Sequence, residues 1–244
     1  MVDGLRVHAR RRRVMPVSPL GSVVLVHGLG VSSRYMLPTL DLLARRWDVV
    51  APDLPGFGLS EKPCRSLTLV ELAESLAGWL AQAGLRRPVL LGNSLGCQVI
   101  STLAQREPQR VRAAVLVGPT MDPSASGGVR ALGRLLADAP RERPREIPVA
   151  LGDYRRAGAR RIWETFTDAV RAPVAEQLRG MRMPTLVVRG SRDPIVSAGW
   201  ARQVCGLLPD GRLVIIDGAP HAVNYSAPEA LVAAVGPFLA GLPA

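Results

Sequence analysis

The chain has 244 residues, of which 48% are hydrophobic and 21% are charged, a composition typical of globular proteins that excludes an intrinsically disordered chain. Its formal net charge is +11, and because Lys62 is the single lysine, the charge comes almost entirely from arginines spread along the chain. No motif of a nucleic-acid-binding fold accompanies them. We therefore expect no nucleic-acid partner, although the arginine-dense stretch 130–161 could favour an anionic substrate or surface.

The cysteines and the apolar segments indicate the compartment. Cys64, Cys97 and Cys205 are far apart and lack metal-ligand spacing, which indicates free thiols and no metal site. The basic run 10–13 is followed by a segment too short and too rich in proline for a signal peptide. No apolar stretch approaches the roughly 20 residues that cross a bilayer. These features predict a cytoplasmic protein without a membrane span.

Apolar runs alternate with helical patterns along most of the chain, which predicts a mostly parallel sheet flanked by helices. Residues 5–9 alternate apolar and polar and predict an antiparallel edge strand. The strand-like runs are 22–28, 48–53, 88–94, 112–120, 184–191 and 212–218. Helices are predicted at 33–46, 68–83, 95–107, 197–208 and 228–240. Thr68 and Glu71 form a capping box at the start of the second helix, and Gly84 supplies its stop.

The alternation stops at 122–183, which is rich in Arg, Pro and Gly and shows no strong strand. The predicted domains are therefore a core of residues 1–121 and 184–244 and an inserted helical segment of residues 122–183. Within the segment, Ile162, Phe166 and Val170 repeat at four-residue spacing and predict a helix with one buried face. That face either only packs the insertion onto the core or also forms a wall of a substrate pocket.

Residues 92–96 (Gly-Asn-Ser-Leu-Gly) match the G-x-S-x-G motif and lie between a predicted buried strand and a helix, where that motif belongs. A strand that turns at once into a helix strains the middle residue, and side chains at the flanking positions would collide with neighbouring backbone. The turn would leave the Ser94 hydroxyl exposed beside a helix N-terminus, where free N–H groups favour negative charge. The motif predicts Ser94 as a nucleophile; the alternative is an ordinary glycine-rich turn.

A serine nucleophile needs a base within hydrogen-bond reach, and the chain has three histidines. His8 lies in the basic N-terminal strand and His27 ends the first core strand. His221 follows the last strand. This position fits enzymes with the G-x-S-x-G motif, in which the serine, the acid and the histidine follow one another in that order along the chain. His221 is therefore the predicted base.

The imidazole needs a carboxylate that fixes its tautomer. Asp193 lies on a short loop after the penultimate strand, whereas Asp122 follows the strand before that and leads into the insertion. Asp217, at the end of the last strand, is expected to be structural. We expect Asp193 to be the acid, with Asp122 as its rival.

The reaction also needs N–H donors for an oxyanion. The amide of Leu95, first in the helix after the nucleophile, is one candidate. The second is Leu29, because Gly28 and Gly30 would let the backbone of its loop approach closely.

Taken together, these residues resemble the α/β-hydrolase superfamily, over nearly the whole chain and in family order. The matching segments are 27–30, 53–60, the elbow 92–96, 190–193 and His221. The resemblance implies a Ser94, Asp193, His221 triad, a helical cap over the site and no cofactor. A serine at the nucleophile position disfavours the aspartate-dependent haloalkane dehalogenases and epoxide hydrolases.

The elbow GNSLG is also similar to that of the carbon–carbon hydrolases that cleave ring-fission diketones. Those enzymes usually carry a tryptophan after the catalytic histidine and a second glycine after the elbow, where this chain has Ala222 and Cys97. We therefore predict a serine hydrolase that cleaves an ester or thioester of a mainly apolar small molecule. Carbon–carbon hydrolysis or lyase chemistry on the same triad, and a non-catalytic binder with this fold, stay as alternatives.

Overall fold

A seven-stranded sheet forms the centre of the computed structural model, which describes residues 4–13, 21–120 and 142–243. Its strands are β1 (Ala9–Arg12), β2 (Ser22–Val26), β3 (Asp48–Pro52), β4 (Val89–Asn93), β5 (Ala113–Val117), β6 (Thr185–Gly190) and β7 (Gly211–Ile216). They lie in the order β1-β3-β2-β4-β5-β6-β7. The pair β1 and β3 is antiparallel and the other pairs are parallel. The predicted mostly parallel α/β sheet is confirmed.

Helices connect the strands and cover both faces of the sheet. They are α1 (Leu37–Leu43), α2 (Leu69–Gln82), α3 (Leu95–Arg106), α4 (Glu146–Ala157), α5 (Ala159–Arg171), α6 (Val174–Gly180), α7 (Ala198–Leu207), α8 (Val223–Ser226) and α9 (Pro228–Ala240). Short 3₁₀ turns occupy Ser33–Met36 and Pro108–Arg110. Over the described ranges, no helix combines the length and the apolar character needed to cross a membrane.

The central strands are buried on both faces, as strand β2 illustrates. Val23 and Leu25 belong to one core with residues of α1 and α9, whereas Val24 and Val26 belong to a second core with residues of α2, α3 and α7. None of these four side chains is exposed. Because alternate residues of a strand point to opposite faces, a parallel sheet with helices on both sides requires continuous apolar strands.

Local sequence signals explain several element boundaries. The edge strand is present, but its ladder pairs Ala9 with Pro52 and so begins at the end of the predicted segment 5–9. The predicted helix 33–46 is a 3₁₀ turn followed by α1, in which Pro38 occupies the first turn, where its missing N–H has no acceptor to lose. The capping box of Thr68 and Glu71 is present at the start of α2, and Gly84 follows that helix with a φ of +69°.

Residues 142–183 form α4, α5 and α6, and the buried face of α5 is shifted from the predicted one. Thr165 and Ala169 are its buried residues, and Val170 is 41% exposed. Ile162 packs against the core as predicted, and polar contacts join the helix to its neighbours: Asp168 Oδ2 accepts from the Leu69 N–H at 2.6 Å, and Gln98 donates to the Ala169 carbonyl at 2.9 Å. The buried face therefore includes Ile162 and excludes Val170.

The capping box yields a stability prediction. We expect Thr68→Ala to lower the free energy of unfolding by about 1 kcal/mol, because the Glu71 N–H loses the hydroxyl that accepts from it. Chemical denaturation measured beside Thr68→Ser, which keeps the hydroxyl, checks this expectation. Equal stability of the alanine and serine variants would contradict it.

Candidate active site

Ser94 lies at the joint between β4 and α3 with a φ of +54° and a ψ of −117°, a conformation that non-glycine residues rarely adopt. A Cβ atom at Gly92 would lie 2.5 Å from the Gly96 carbonyl carbon. A Cβ atom at Gly96 would lie 2.2 Å from the Val26 oxygen. The flanking glycines therefore permit the close approach of α3 to β2 and β4 that the strained turn requires, as the motif predicts.

Two neighbouring strand ends hold the elbow. The Ser94 N–H donates to the Val117 carbonyl at the end of β5, at 3.0 Å. On the other side, a Cβ atom at Gly28 would lie 3.4 Å from Ser94 Cβ, so the loop after β2 runs directly beside the serine. Ser94 itself stays partly exposed. Its side chain therefore lies at the carboxyl edge of the sheet, between the loops that follow β2 and β5.

Asp193 and His221 are in direct contact. Nδ1 of His221 lies 2.8 Å from Asp193 Oδ2, and both side chains are buried. The other carboxylate oxygen, Oδ1, accepts from the backbone N–H groups of Ile195 at 2.7 Å and Val196 at 2.9 Å. Because the ionised carboxylate accepts from Nδ1–H, the ring nitrogen Nε2 carries the basic lone pair.

These contacts keep Asp193 ionised. Burial opposes ionisation, but the His221 ring and the N–H groups of Val196 and Ile195 outweigh it, and the pKa of Asp193 lies below its ordinary value. A carboxylate with a lowered pKa suits a group that orients an imidazole and stabilises its cation.

Asn93 links the histidine loop to the elbow. Its side-chain amide donates to the carbonyl of His221 at 3.4 Å and to that of Val117 at 3.3 Å, and its oxygen accepts from the Tyr35 hydroxyl at 3.2 Å. Gly118, with a φ of +59°, lies against the imidazole: a Cβ atom there would lie 2.9 Å from His221 Cε1. Sequence reasoning missed both residues; their signals were an asparagine inside the elbow and a glycine directly after β5.

The two candidate oxyanion donors lie on separate segments, one directly after Ser94 and one in the loop whose Gly28 lies beside it. Leu95 is the first residue of α3, where N–H groups have no intrahelical acceptor. Leu29 lies in the loop that passes Ser94. His27 holds this loop, because its Nδ1 donates to the Gly28 carbonyl at 2.8 Å and its Nε2 accepts from the Leu54 N–H at 3.0 Å. Burial lowers the pKa of His27, so this ring is a neutral support.

Helix α4 contacts the loop of the candidate donor Leu29. Asp153 accepts from the Ser32 hydroxyl at 2.6 Å. The Tyr154 ring covers Gly30, where an added Cβ atom would lie 2.6 Å from two ring carbons and 3.2 Å from Ile162. Side chains of α4 and α5 therefore form part of the surroundings of the site.

Glu142, just before α4, contacts the loop of His221. Its carboxylate accepts from the Ala222 N–H at 2.7 Å and from the Ser226 hydroxyl. Burial and the nearby Glu146 carboxylate raise the pKa of Glu142 to about 7. The inserted segment therefore meets the backbone directly after the candidate base.

The remaining candidates have other environments. Asp217 accepts from the Ser191 hydroxyl at 3.0 Å on the surface, which fits the expected structural position. His8 pairs with Asp53 at 2.8 Å, in a contact that ties β1 to the end of β3. Asp122 lies outside the described residues.

Cys97 is buried beneath the elbow. Its thiol donates to the Gly92 carbonyl at 3.2 Å, and burial raises the pKa of this thiol. In the described ranges, no cluster of three or more His, Cys, Asp or Glu side chains is arranged to hold a metal.

Comparison with known proteins gives relatives over almost the whole chain. The 2-(acetamidomethylene)succinate hydrolase of Mesorhizobium japonicum is 27% identical over 238 residues, which are 87% of this chain and 86% of that protein. The polyketide synthase ThaQ of Burkholderia thailandensis is 32% identical over 89% of this chain, and the match covers 12% of that longer protein. A thermophilic esterase from Thermogutta terrifontis shares the fold with a TM-score of 0.83 and 21% identity, over 97% of this chain and 93% of that one.

A sequence profile described as the alpha/beta hydrolase family matches residues 23–235. The match runs from β2 to α9 and includes the elbow and the loops of Asp193 and His221. The predicted resemblance is confirmed: the chain belongs to the alpha/beta hydrolase family.

Proposed function

We propose that the protein is a serine hydrolase that cleaves an ester or thioester of a mainly apolar small molecule through Ser94, His221 and Asp193. One observation carries the proposal: Asn93, directly before the strained Ser94 in the β4–α3 elbow, donates to the carbonyl of His221, whose Nδ1 lies 2.8 Å from Asp193 Oδ2. A hydroxyl in this setting has the base and the orienting acid that it needs to act as a nucleophile.

The proposed reaction has two stages. His221 Nε2 takes the hydroxyl proton while Ser94 Oγ attacks the carbonyl carbon, and the N–H groups of Leu29 and Leu95 hold the resulting oxyanion. The imidazolium, stabilised by Asp193, then gives its proton to the departing alcohol or thiol. In the second stage His221 activates a water that releases the acyl group from Ser94.

The surroundings of the site support an apolar substrate. Leu29, Tyr154 and Ile162 lie at the loop that passes Ser94, and their side chains offer mainly apolar surface. Binding pockets of small molecules are lined mostly by such side chains, with a few polar groups that orient the ligand. The hydrolase named for 2-(acetamidomethylene)succinate supports hydrolysis as the class of reaction.

Removal of the nucleophile tests the proposal. We expect Ser94→Ala to lower kcat/KM for short p-nitrophenyl esters by about 10⁴-fold or more, because no hydroxyl remains to form the acyl-enzyme. Ser101→Ala is the matched control, since it removes another hydroxyl of α3, which donates to the Gln98 carbonyl and lies 3.5 Å from Gln177 Oε1. A fluorophosphonate should label the wild type and not the Ser94 variant. Undiminished turnover by Ser94→Ala would overturn the proposal, and failure of the wild type to label would favour a non-catalytic binder.

The acid has its own test. We expect Asp193→Asn to lower kcat by about 10⁴-fold, because an asparagine amide can donate to Nδ1 and leave the proton on Nε2, the wrong tautomer for a base. Asp217→Asn, at the same edge of the sheet, should change kcat little because its carboxylate contacts Ser191. Steady-state kinetics with circular dichroism check both variants. An Asp193→Asn enzyme with more than about a tenth of wild-type kcat would require another acid.

A substrate panel separates ester hydrolysis from carbon–carbon cleavage. We expect turnover of p-nitrophenyl esters and acyl thioesters to exceed that of ring-fission diketones, since Ala222 and Cys97 replace the tryptophan and glycine of the diketone hydrolases. Equal loss of both activities in Ser94→Ala would assign them to one site. A preference for diketones would replace the ester assignment and keep the triad.

A further inference from the structure

Arg189 is a buried arginine directly before the loop that carries Asp193. It lies on β6, the strand that ends at Gly190, and only 7% of it is exposed. In the described part of the chain, no carboxylate forms an ion pair with it. A buried guanidinium without a counter-ion needs other acceptors to offset the loss of hydration.

Backbone carbonyls of the Asp193 loop supply those acceptors. The Arg189 guanidinium donates from Nε to Val196 at 2.6 Å, from Nη2 to Asp193 at 2.9 Å and from Nη1 to Ser191 at 3.3 Å. One planar group therefore bonds to the start, the middle and the end of the loop. Arginine alone among side chains offers three such donors in a fixed, permanently charged fork.

The backbone of the same loop also binds the Asp193 carboxylate. The N–H groups of Ile195 and Val196 donate to Oδ1, while Oδ2 faces His221. The loop is also joined to the histidine side of the site, because the Arg192 N–H donates to the Ala219 carbonyl at 3.0 Å. A displacement of the 191–196 backbone would therefore move the carboxylate relative to His221.

We propose that Arg189 is a positioning residue, which fixes the Asp193 loop so that the carboxylate stays aligned with His221 Nδ1. This inference rests on the proposed function, since alignment matters only if His221 acts as the base. The three side-chain bonds of Arg189 all go to backbone carbonyls of the loop, so we assign it a role in positioning and not in the chemical step. An arginine on a buried strand, four residues before the acid, is the sequence signal of this restraint.

Three variants test the proposal. Arg189→Gln removes the fork, Arg189→Lys keeps the charge but cannot span three carbonyls, and Arg192→Gln removes an exposed arginine of the same loop as the matched control. We expect Arg189→Gln to lower kcat for a p-nitrophenyl ester by about 10- to 100-fold, because small misplacements of catalytic groups cost about that much. KM should stay within about twofold, Arg189→Lys should show an intermediate loss, and Arg192→Gln should match the wild type.

Two readouts separate positioning from mere stability. The Nδ1 proton of His221, observed by ¹H NMR far downfield, should broaden or disappear in Arg189→Gln. The acid limb of the pH profile of kcat/KM should move to lower pH, because the imidazolium loses part of its stabilisation by the carboxylate. A folded Arg189→Gln enzyme with unchanged kcat and an unchanged Nδ1 resonance would overturn the proposal. If that variant does not fold, an Arg189→Lys enzyme with wild-type kcat and resonance would overturn it equally.

The NMR readout also distinguishes failure of this inference from failure of the proposed function. A wild type that hydrolyses no ester or thioester would refute the proposed activity, yet the Nδ1 resonance would still report the His221–Asp193 contact. Loss of the resonance in Arg189→Gln, with retention in Arg192→Gln, would then support the positioning role. Retention in both variants would refute it.

Discussion

The close approach of helix α3 to strands β2 and β4 is the contact on which the site depends. Gly96 leaves no room for a side chain against the Val26 carbonyl, and Gly92 leaves none against the first turn of α3. Only with both glycines can the chain reverse within one residue and hold Ser94 at positive φ. The cost of that strained residue is offset by the buried apolar strands on either side, which fix the ends of the turn.

A second constraint is that the buried polar side chains of the candidate site make most of their hydrogen bonds to the backbone of its loops. Asp193 accepts from two backbone N–H groups and from His221, and Arg189 donates to three carbonyls of the same loop. Both ring nitrogens of His27 likewise bond to backbone groups, the Gly28 carbonyl and the Leu54 N–H. Such networks are stable only when every member is satisfied, so each side chain also fixes the loop that it bonds.

The sequence was sufficient for features that depend on local geometry and chain order, and insufficient for those that depend on how separate loops meet. Local patterns predicted the alternation of strands and helices, the elbow glycines and the capping box. The contact of Asp193 with His221 follows from chain order, because the loops after parallel strands meet at the same carboxyl edge of the sheet. The contact of Gly118 with the imidazole joins loops that are distant in sequence, so no local pattern revealed it. The buried face of α5 includes Ile162 of the predicted stripe but not Val170, because apolar spacing identifies a stripe, whereas polar partners on α2 and α3 also determine which side of this helix packs.

Glu142 and helix α4 contact the loops that carry the candidate site residues. Asp153 bonds to Ser32 in the loop that follows the candidate oxyanion donor, and Glu142 bonds to the N–H of Ala222 directly after the candidate base. Contacts from this part of the chain therefore reach the loops of both the candidate oxyanion donor and the candidate base, while packed strands and helices hold the β4–α3 elbow. In such an arrangement, helices around a site can vary while the core stays constant, which is how one fold serves many reactions.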